Sequence, residues 1–247
     1  MHTTHTTKQM LNHAVGDSIL TQNASWSFAG DTPKSFDEHV GKSVPLYHQG
    51  HDLVVKLSDF FLSHNSVCYD VGCSTGTLTR RIANHNQFKM VQVIGLDGEK
   101  DMVNYAQQQS IDSEACGFYH ADALEFDYKK ADFIVLYYTL QFVKPKVRQL
   151  LIDRLYQSLN WGGAMVLFEK VRASDARFQD IATSLYTDYK LDQGYTPDQI
   201  IAKSRSLKGV LEPFSTQGNI DLMKRAGFVD IISIMKYVCF EGFLAIK

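Results

Sequence analysis

Val67-Cys68-Tyr69-Asp70-Val71-Gly72-Cys73-Ser74-Thr75-Gly76 decides the fold. A short apolar run stops at a glycine turn, and helical spacing resumes from Leu78 to Asn84. Apolar runs of this length bounded by turn residues read as buried strands. Gly72 and Gly76 let the backbone approach a ligand closely. The helix after the turn offers free N–H groups and the positive end of its dipole. A strand, a glycine turn and a helix in that order form a cradle for a nucleotide-like ligand.

Working outward, the same alternation continues. Strands are expected at Val91–Asp97, Gly117–His120, Phe133–Tyr138 and Ala164–Phe168, with helices at Met102–Gln109 and Lys146–Leu159 and a turn at Asn160–Gly163. Continuous apolar strands separated by amphipathic helices imply a parallel sheet covered on both faces. Residues 172–212 are polar-rich and helical in pattern. A helix near Ile220–Arg225 follows, then Phe228–Val238 and Cys239–Ile246, close enough in sequence to pair as an antiparallel hairpin. The expected fold is α/β: a Rossmann-like, seven-stranded, mostly parallel sheet with an antiparallel C-terminal strand pair and a helical lid insertion.

Upstream, residues 1–25 are polar and read as a flexible tail. Residues 26–247 read as one domain, with an N-terminal extension over 26–66 and the insertion over 172–212. The extension ends in a helix whose apolar residues Leu53, Val54, Leu57, Phe60 and Phe61 share helical spacing. Val44-Pro45-Leu46-Tyr47 reads as a fixed, non-helical approach to it, because Pro45 disfavours a helical Val44.

Composition narrows the class. The 247 residues are 45% apolar and 21% charged, with a net charge of −2. That balance lacks the basic surface of a protein that grips nucleic acid directly. Cys68, Cys73, Cys116 and Cys239 form no C-x-x-C pair, which points to a reduced, cytoplasmic protein. No apolar run approaches the ~20 residues that span a bilayer. The N-terminal Met1-His2-Thr3-Thr4-His5 has no apolar core, so no signal peptide is read there. His2 and His5 lie in the polar tail, and no metal site is expected.

Two carboxylates follow the turn. Asp97 ends the second strand ~20 residues beyond it, where an acidic side chain can accept both hydroxyls of a ribose. The same residue could instead cap the next helix. Asp122 follows the third strand, where it could accept from an adenine amino group or simply cap a loop. The turn itself, G-C-S-T-G, lacks the G-x-G-x-x-G spacing of a dinucleotide site, which argues against a nicotinamide oxidoreductase. With Asp70 before it, it resembles the D/E-x-G-x-G-x-G motif of class I methyltransferases, with Ser74 at the middle glycine.

Further segments are collinear from residue 26 to the C-terminus: Trp26-Ser27-Phe28, Ser43-Val44-Pro45-Leu46-Tyr47, Tyr69–Ser74, Tyr138-Thr139-Leu140-Gln141-Phe142, Leu159–Ala164, Phe168-Glu169-Lys170, Gly194-Tyr195 and Ala226-Gly227-Phe228. Together they resemble the carboxy-S-adenosylmethionine synthases, class I methyltransferase-fold enzymes that supply a tRNA wobble-uridine modification. The resemblance implies S-adenosylmethionine, or its S-adenosylhomocysteine or carboxylated derivative, as cofactor. It implies contacts from Tyr47, Gly72, Cys73, Ser74, Asp97, Gly98, Asp122 and Ala123, an extension folded over the ligand, and a homodimer. At the end of the fourth strand the family has Asn where this chain has Tyr137. In the insertion the family places an Arg to hold an extra carboxylate, a task suited to a bidentate guanidinium. Ungapped alignment puts Ser204 there, with Arg205 one residue and ~100° of helix later.

Several other side chains could carry chemistry. His48 beside Tyr47 is a candidate base. Glu169 after the fifth strand is a second candidate base or a structural ion-pair member. Tyr186, Asp188, Tyr189 and Tyr195 could line an acceptor pocket or pack the lid. Cys73 reads as buried packing. The Arg-to-Ser change favours a methyltransferase acting on a small molecule. Carboxylation of the cofactor from prephenate is the alternative, and a non-catalytic cofactor-binding module is a third reading.

Overall fold

The computed structural model describes residues 13–14, 20–21, 32–110 and 116–247. Trp26-Ser27-Phe28 and most of the expected tail lie outside the described residues. Two short strands, β1 (His13–Ala14) and β2 (Leu20–Thr21), pair antiparallel and lie against the lid helix α7 (Pro197–Ser206).

The main sheet holds β3 (Val67–Val71), β4 (Gln92–Asp97), β5 (Cys116–His120), β6 (Ala131–Tyr137), β7 (Leu159–Lys170), β8 (Asp230–Tyr237) and β9 (Phe240–Ile246), in the order β5-β4-β3-β6-β7-β9-β8. The first five in that order run parallel. β9 inserts antiparallel between β7 and β8, so it is the one reversed strand of this sheet. The expected seven-stranded sheet and its antiparallel C-terminal pair are observed, and the hairpin joins the sheet through its second strand. The order reverses between β3 and β6, and ligands of such sheets sit beyond the carboxyl ends of the strands at that point.

Strand alternation divides the core. Phe133, Val135 and Tyr137 of β6 face a cluster with α2 (Tyr47–Phe61) and α3 (Thr77–His85). Ile134 and Leu136 face a second, built on α5 (Pro145–Ser158) and α8 (Thr216–Ala226). α4 (Lys100–Gln108) covers the sheet near β4 and β5. The insertion is helical, as expected: α6 (Ala176–Asp192) is capped by Asp175, and α7 by a Thr196–Gln199 capping box.

Three expectations need correction. The extension contains a helix, α1 (Thr32–Ser43), that hydrophobic periodicity did not show. Phe60 does not join the core but is 81% exposed, while Phe61 takes the inward position and stacks on Phe133 at 5.6 Å. Asn160–Gly163 is not a free turn. It is drawn into β7, because Gly162 N–H donates to the Lys247 carbonyl (2.8 Å) and Lys247 N–H to the Gly163 carbonyl (2.9 Å).

Gly76 has φ 75° immediately before α3, and a Cβ there would lie 2.5 Å from the Phe118 ring. Gly76→Ala therefore combines left-handed strain of about 1–2 kcal/mol with overpacking of about 1–3 kcal/mol. The expected result in urea denaturation is a lower midpoint with an unchanged slope.

Candidate active site

The glycine turn is held from beneath by the neighbouring strand. Gly72 N–H and Cys73 N–H both donate to the Leu96 carbonyl (2.7 and 2.9 Å), and Ser74 N–H donates to Asp97 Oδ2 (2.8 Å). The other carboxylate oxygen of Asp97 accepts from Glu99 N–H (2.8 Å). Each oxygen thus spends one acceptor site on backbone and retains capacity for a further donor. Burial pushes the Asp97 carboxyl up, with the two amide bonds acting in the opposite direction. Beside it Gly98 is exposed, and a Cβ placed there would meet none of the described residues within 4 Å.

β5 brings the next candidates alongside. Ala121 N–H donates to the Asp97 carbonyl (3.0 Å), which sets Asp122 and Ala123 next to the Asp97 turn. Asp122 is exposed, with Oδ1 accepting from Leu124 N–H (2.8 Å). The Ala123 carbonyl accepts from the Tyr128 hydroxyl (3.0 Å). Gly72 has φ 78°, and a Cβ there would run into Thr139. Asp70 is buried and accepts from the Thr79 hydroxyl (2.6 Å), tying β3 to α3. Burial pushes its carboxyl up to about 6, against the pull of the Thr79 bond. Cys73 is buried, as a packing residue should be.

Tyr47 opens α2 and is buried in an aromatic group. Its ring stacks with Tyr138 at 6.2 Å and lies 5.2 Å from Tyr137 and 4.6 Å from His51. The Tyr137 hydroxyl donates to the Tyr47 carbonyl (2.6 Å), and its oxygen occupies the space where a Cβ on Gly50 would stand. The Tyr137 hydroxyl thus binds the end of β6 to the start of α2.

Asp37 of α1 carries a tie that sequence reasoning missed. Its two carboxylate oxygens accept from the hydroxyls of Thr75 (2.8 Å) and Thr77 (2.7 Å). No side chain caps α3 at Gly76, so a carboxylate here also meets the positive end of that helix. The extension is thereby fastened onto the glycine turn. The hydroxyls of Thr75 and Thr77 were the available signal, but a partner about forty positions upstream leaves no periodic trace.

The remaining candidates fall elsewhere. His48 is exposed, with its ring edge-on to Tyr47 at 5.6 Å. Glu169 is fully buried at the end of β7. Burial raises its carboxyl well above the usual range, against the pull of the Arg148 guanidinium and the nearby backbone amides of Leu140 and Gln141. Among the described residues Glu169 Oε1 has no hydrogen-bond partner. Tyr189 is half-buried between Tyr186 and Tyr237, at 6.4 and 6.1 Å. Ser204 and Arg205 are exposed and line a groove of about 390 Å³ between α6 and α7, with Leu191, Ile200 and Ile201. Lys203, one residue earlier, turns to α1 instead, where it meets His39 and the Ser43 hydroxyl (2.9 Å), which in turn contacts the Tyr195 hydroxyl (3.0 Å).

Comparison with known proteins agrees with this geometry. The family described as "Methyltransferase domain" matches residues 68–163. Solved structures share the fold: a putative O-methyltransferase from Nostoc punctiforme (TM-score 0.62, 15% identity, covering 88% of this chain and 60% of that one), and human N-acetylserotonin methyltransferase in complex with SAM (0.56, 17%, 82% and 52%). The cyclase SpnF shares it equally well (0.57, 14%, 83% and 83%). The carboxy-S-adenosyl-L-methionine synthase of Staphylococcus epidermidis is 35% identical over 223 residues, covering 90% of this chain and 97% of its own length. That of Sulfurimonas denitrificans is 32% identical over 240 residues, covering 94% and 100%. With its methyltransferase-type sheet and similarity across nearly the full length of these relatives, the chain belongs to the carboxy-S-adenosyl-L-methionine synthase family.

Proposed function

We propose that this chain holds S-adenosylmethionine across the Gly72–Gly76 turn and transfers its methyl group to a small-molecule acceptor. The site's donors and acceptors fit that cofactor. Asp97 keeps acceptor capacity for ribose hydroxyls next to the open space over Gly98, and Asp122 offers an exposed carboxylate for the adenine amino group. Tyr47 and Tyr138 supply an aromatic wall beside the turn. When bound, the cofactor supplies a sulfonium-activated methyl and its own leaving group. The protein's part is to hold the acceptor in line, and to exclude water by closing the helices of residues 32–66 and the 172–212 insertion over the site.

The observation that carries methyl transfer over cofactor carboxylation is on α7. Ser204 stands where the family has its arginine and faces the outer α6–α7 groove, as does Arg205. A hydroxyl cannot replace a guanidinium as partner of an added carboxylate. The second reading, carboxylation from prephenate as the relatives' names suggest, is favoured by similarity over 97% of the Staphylococcus epidermidis relative. We also infer a homodimer formed through α6. Phe178, Ile181 and Leu185, spaced three and four residues apart, form an exposed apolar stripe, extended by Leu191 and Ile201.

Mass spectrometry of co-purified ligand, and of products after incubation with S-adenosylmethionine and prephenate, separates the two reactions. A mass matching the carboxylated cofactor overturns methyl transfer. Asp97→Asn is expected to weaken S-adenosylhomocysteine binding about tenfold or more in calorimetric titration, since charge-assisted hydrogen bonds to ribose are lost. Light scattering should give twice the 28.0 kDa chain mass for the wild type, and the monomer mass for Leu185→Glu.

A further inference from the structure

The loop after β6 carries side chains that stand against the glycine turn, and a buried glutamine holds it in place. Tyr138 leaves β6 with φ 60°, a left-handed conformation that a tyrosine keeps only where its surroundings over-determine it. Its ring stacks with Tyr47. Thr139 follows, and its side chain fills the space where a Cβ on Gly72 would stand. The chain then makes one 3₁₀ turn, Leu140–Phe142. The Tyr138 backbone is pinned on both sides: its N–H donates to the Phe168 carbonyl (2.8 Å), and its carbonyl accepts from Gln141 Nε2 (3.2 Å).

Gln141 uses both ends of its side-chain amide. While Nε2 donates to Tyr138, Oε1 accepts from Lys170 N–H (3.0 Å) at the end of β7. Only a group with one donor and one acceptor atom satisfies both partners. The Gln141 backbone carbonyl accepts twice more, from Glu212 N–H (2.9 Å) and from Arg148 Nη2 (3.0 Å). Lys170 stands just before the 172–212 insertion, and Glu212 ends it. Arg172 N–H donates to the Phe214 carbonyl (2.9 Å), which draws the two ends of the insertion together. Gln141 therefore clasps the entry and the exit of the lid, and by the same side chain holds the loop against the turn.

The surroundings make this pairing necessary. Gln141 is buried, so a hydrocarbon side chain in its place would leave the Tyr138 carbonyl and the Lys170 N–H without these bonds in the interior, and unpaired buried backbone groups are costly. Two charged side chains lie close to the same turn. Arg148 of α5 also donates Nε to the Val143 carbonyl (2.8 Å), with its guanidinium over the Phe214 ring (4.4 Å). Glu169 of β7 is buried near Leu140 and Gln141, with its carboxyl raised by burial. The turn is thus fastened from α5, from β7 and from the segment that precedes α8.

Resting on the cofactor reading above, we propose that Gln141 is a positioning residue. It sets Tyr138 and Thr139 against the glycine turn and ties them to both ends of the lid insertion, so that the cofactor wall and the lid share one joint. Gln141 acts through these neighbours and does not itself touch the cofactor.

Calorimetric titration of the full chain with S-adenosylhomocysteine tests this on Gln141→Glu and Gln141→Met. The glutamate keeps the acceptor for Lys170 N–H. Ionised, it turns a second acceptor on the Tyr138 carbonyl; protonated, its hydroxyl donates there as the amide does. Burial raises such a carboxyl, so Gln141→Glu is expected to match the wild type at about pH 5 and to bind about tenfold or more weakly at about pH 8. Gln141→Met, which keeps the length but neither bond, should lose about tenfold at both. At the higher pH, hydrogen exchange over residues 176–206 should be faster in Gln141→Glu than in the wild type. If one variant fails to fold, the other carries the test. Wild-type affinity in Gln141→Met, a loss in Gln141→Glu that does not change with pH, or unfolding of both variants at either pH overturns the positioning role while wild-type binding stands. Failure of the wild type to bind S-adenosylhomocysteine overturns the cofactor reading and this proposal with it.

Discussion

Three consecutive amides of the glycine turn are held by two adjacent residues of the next strand. The Leu96 carbonyl takes Gly72 and Cys73, and the Asp97 carboxylate takes Ser74. Backbone groups in a buried turn must be paired, and here the pairing also fixes the shape of the cradle. The register of β3 on β4, with Asp70 opposite Gly95 and Val71 opposite Leu96, delivers Leu96 and Asp97 to the turn. The start of α3, the Asp37 tie from α1 and the neighbouring Asp122 turn are all placed relative to it. Asp97 is thus structural on one side of its carboxylate and available to a ligand on the other.

The walls above this floor are mostly tyrosine. Tyr47, Tyr137 and Tyr138 come from two elements far apart in sequence, and the Tyr137–Tyr47 hydrogen bond joins them. The resemblance implies an asparagine at the position of Tyr137, whose hydroxyl here fills the space against Gly50 and donates to the Tyr47 carbonyl. The resemblance likewise implies an arginine where this chain has Ser204, whose hydroxyl cannot grip a carboxylate as a guanidinium fork does. Positive charge persists at the end of β7 and in α6 instead. The same fold also serves the cyclase SpnF, so the sheet alone does not select the reaction; the side chains around it do.

Much of the architecture was legible because strands buried on both faces write themselves as continuous apolar runs. β3, β4 and β6 appeared within one or two residues of their observed bounds, while β7 begins five residues before the expected Ala164. α1 was not legible, since Thr32–Ser43 is mostly polar and is positioned by distant contacts such as Asp37 on the turn. Phe60 and Phe61 show the limit of pattern reading. Adjacent identical side chains give no cue to which one faces Phe133.

The sequence by itself determined the strand–turn–helix cradle, the Asp97 and Asp122 positions and the family resemblance, because each is written within a local segment or at a fixed spacing from the turn. Only the tertiary structure decided that Asp37 clamps the extension to Thr75 and Thr77. It likewise decided that Glu169 is buried near the Leu140–Gln141 backbone, and that Lys170 and Lys190 converge on one tyrosine ring. Tyr186 and Lys190 share a face of α6, but the Asp37, Glu169 and Lys170 contacts join segments 16 to 40 residues apart that no periodicity links. They exist because the sheet order and the lid bring those segments together, and the balance of burial against charge pairing is set only once they meet.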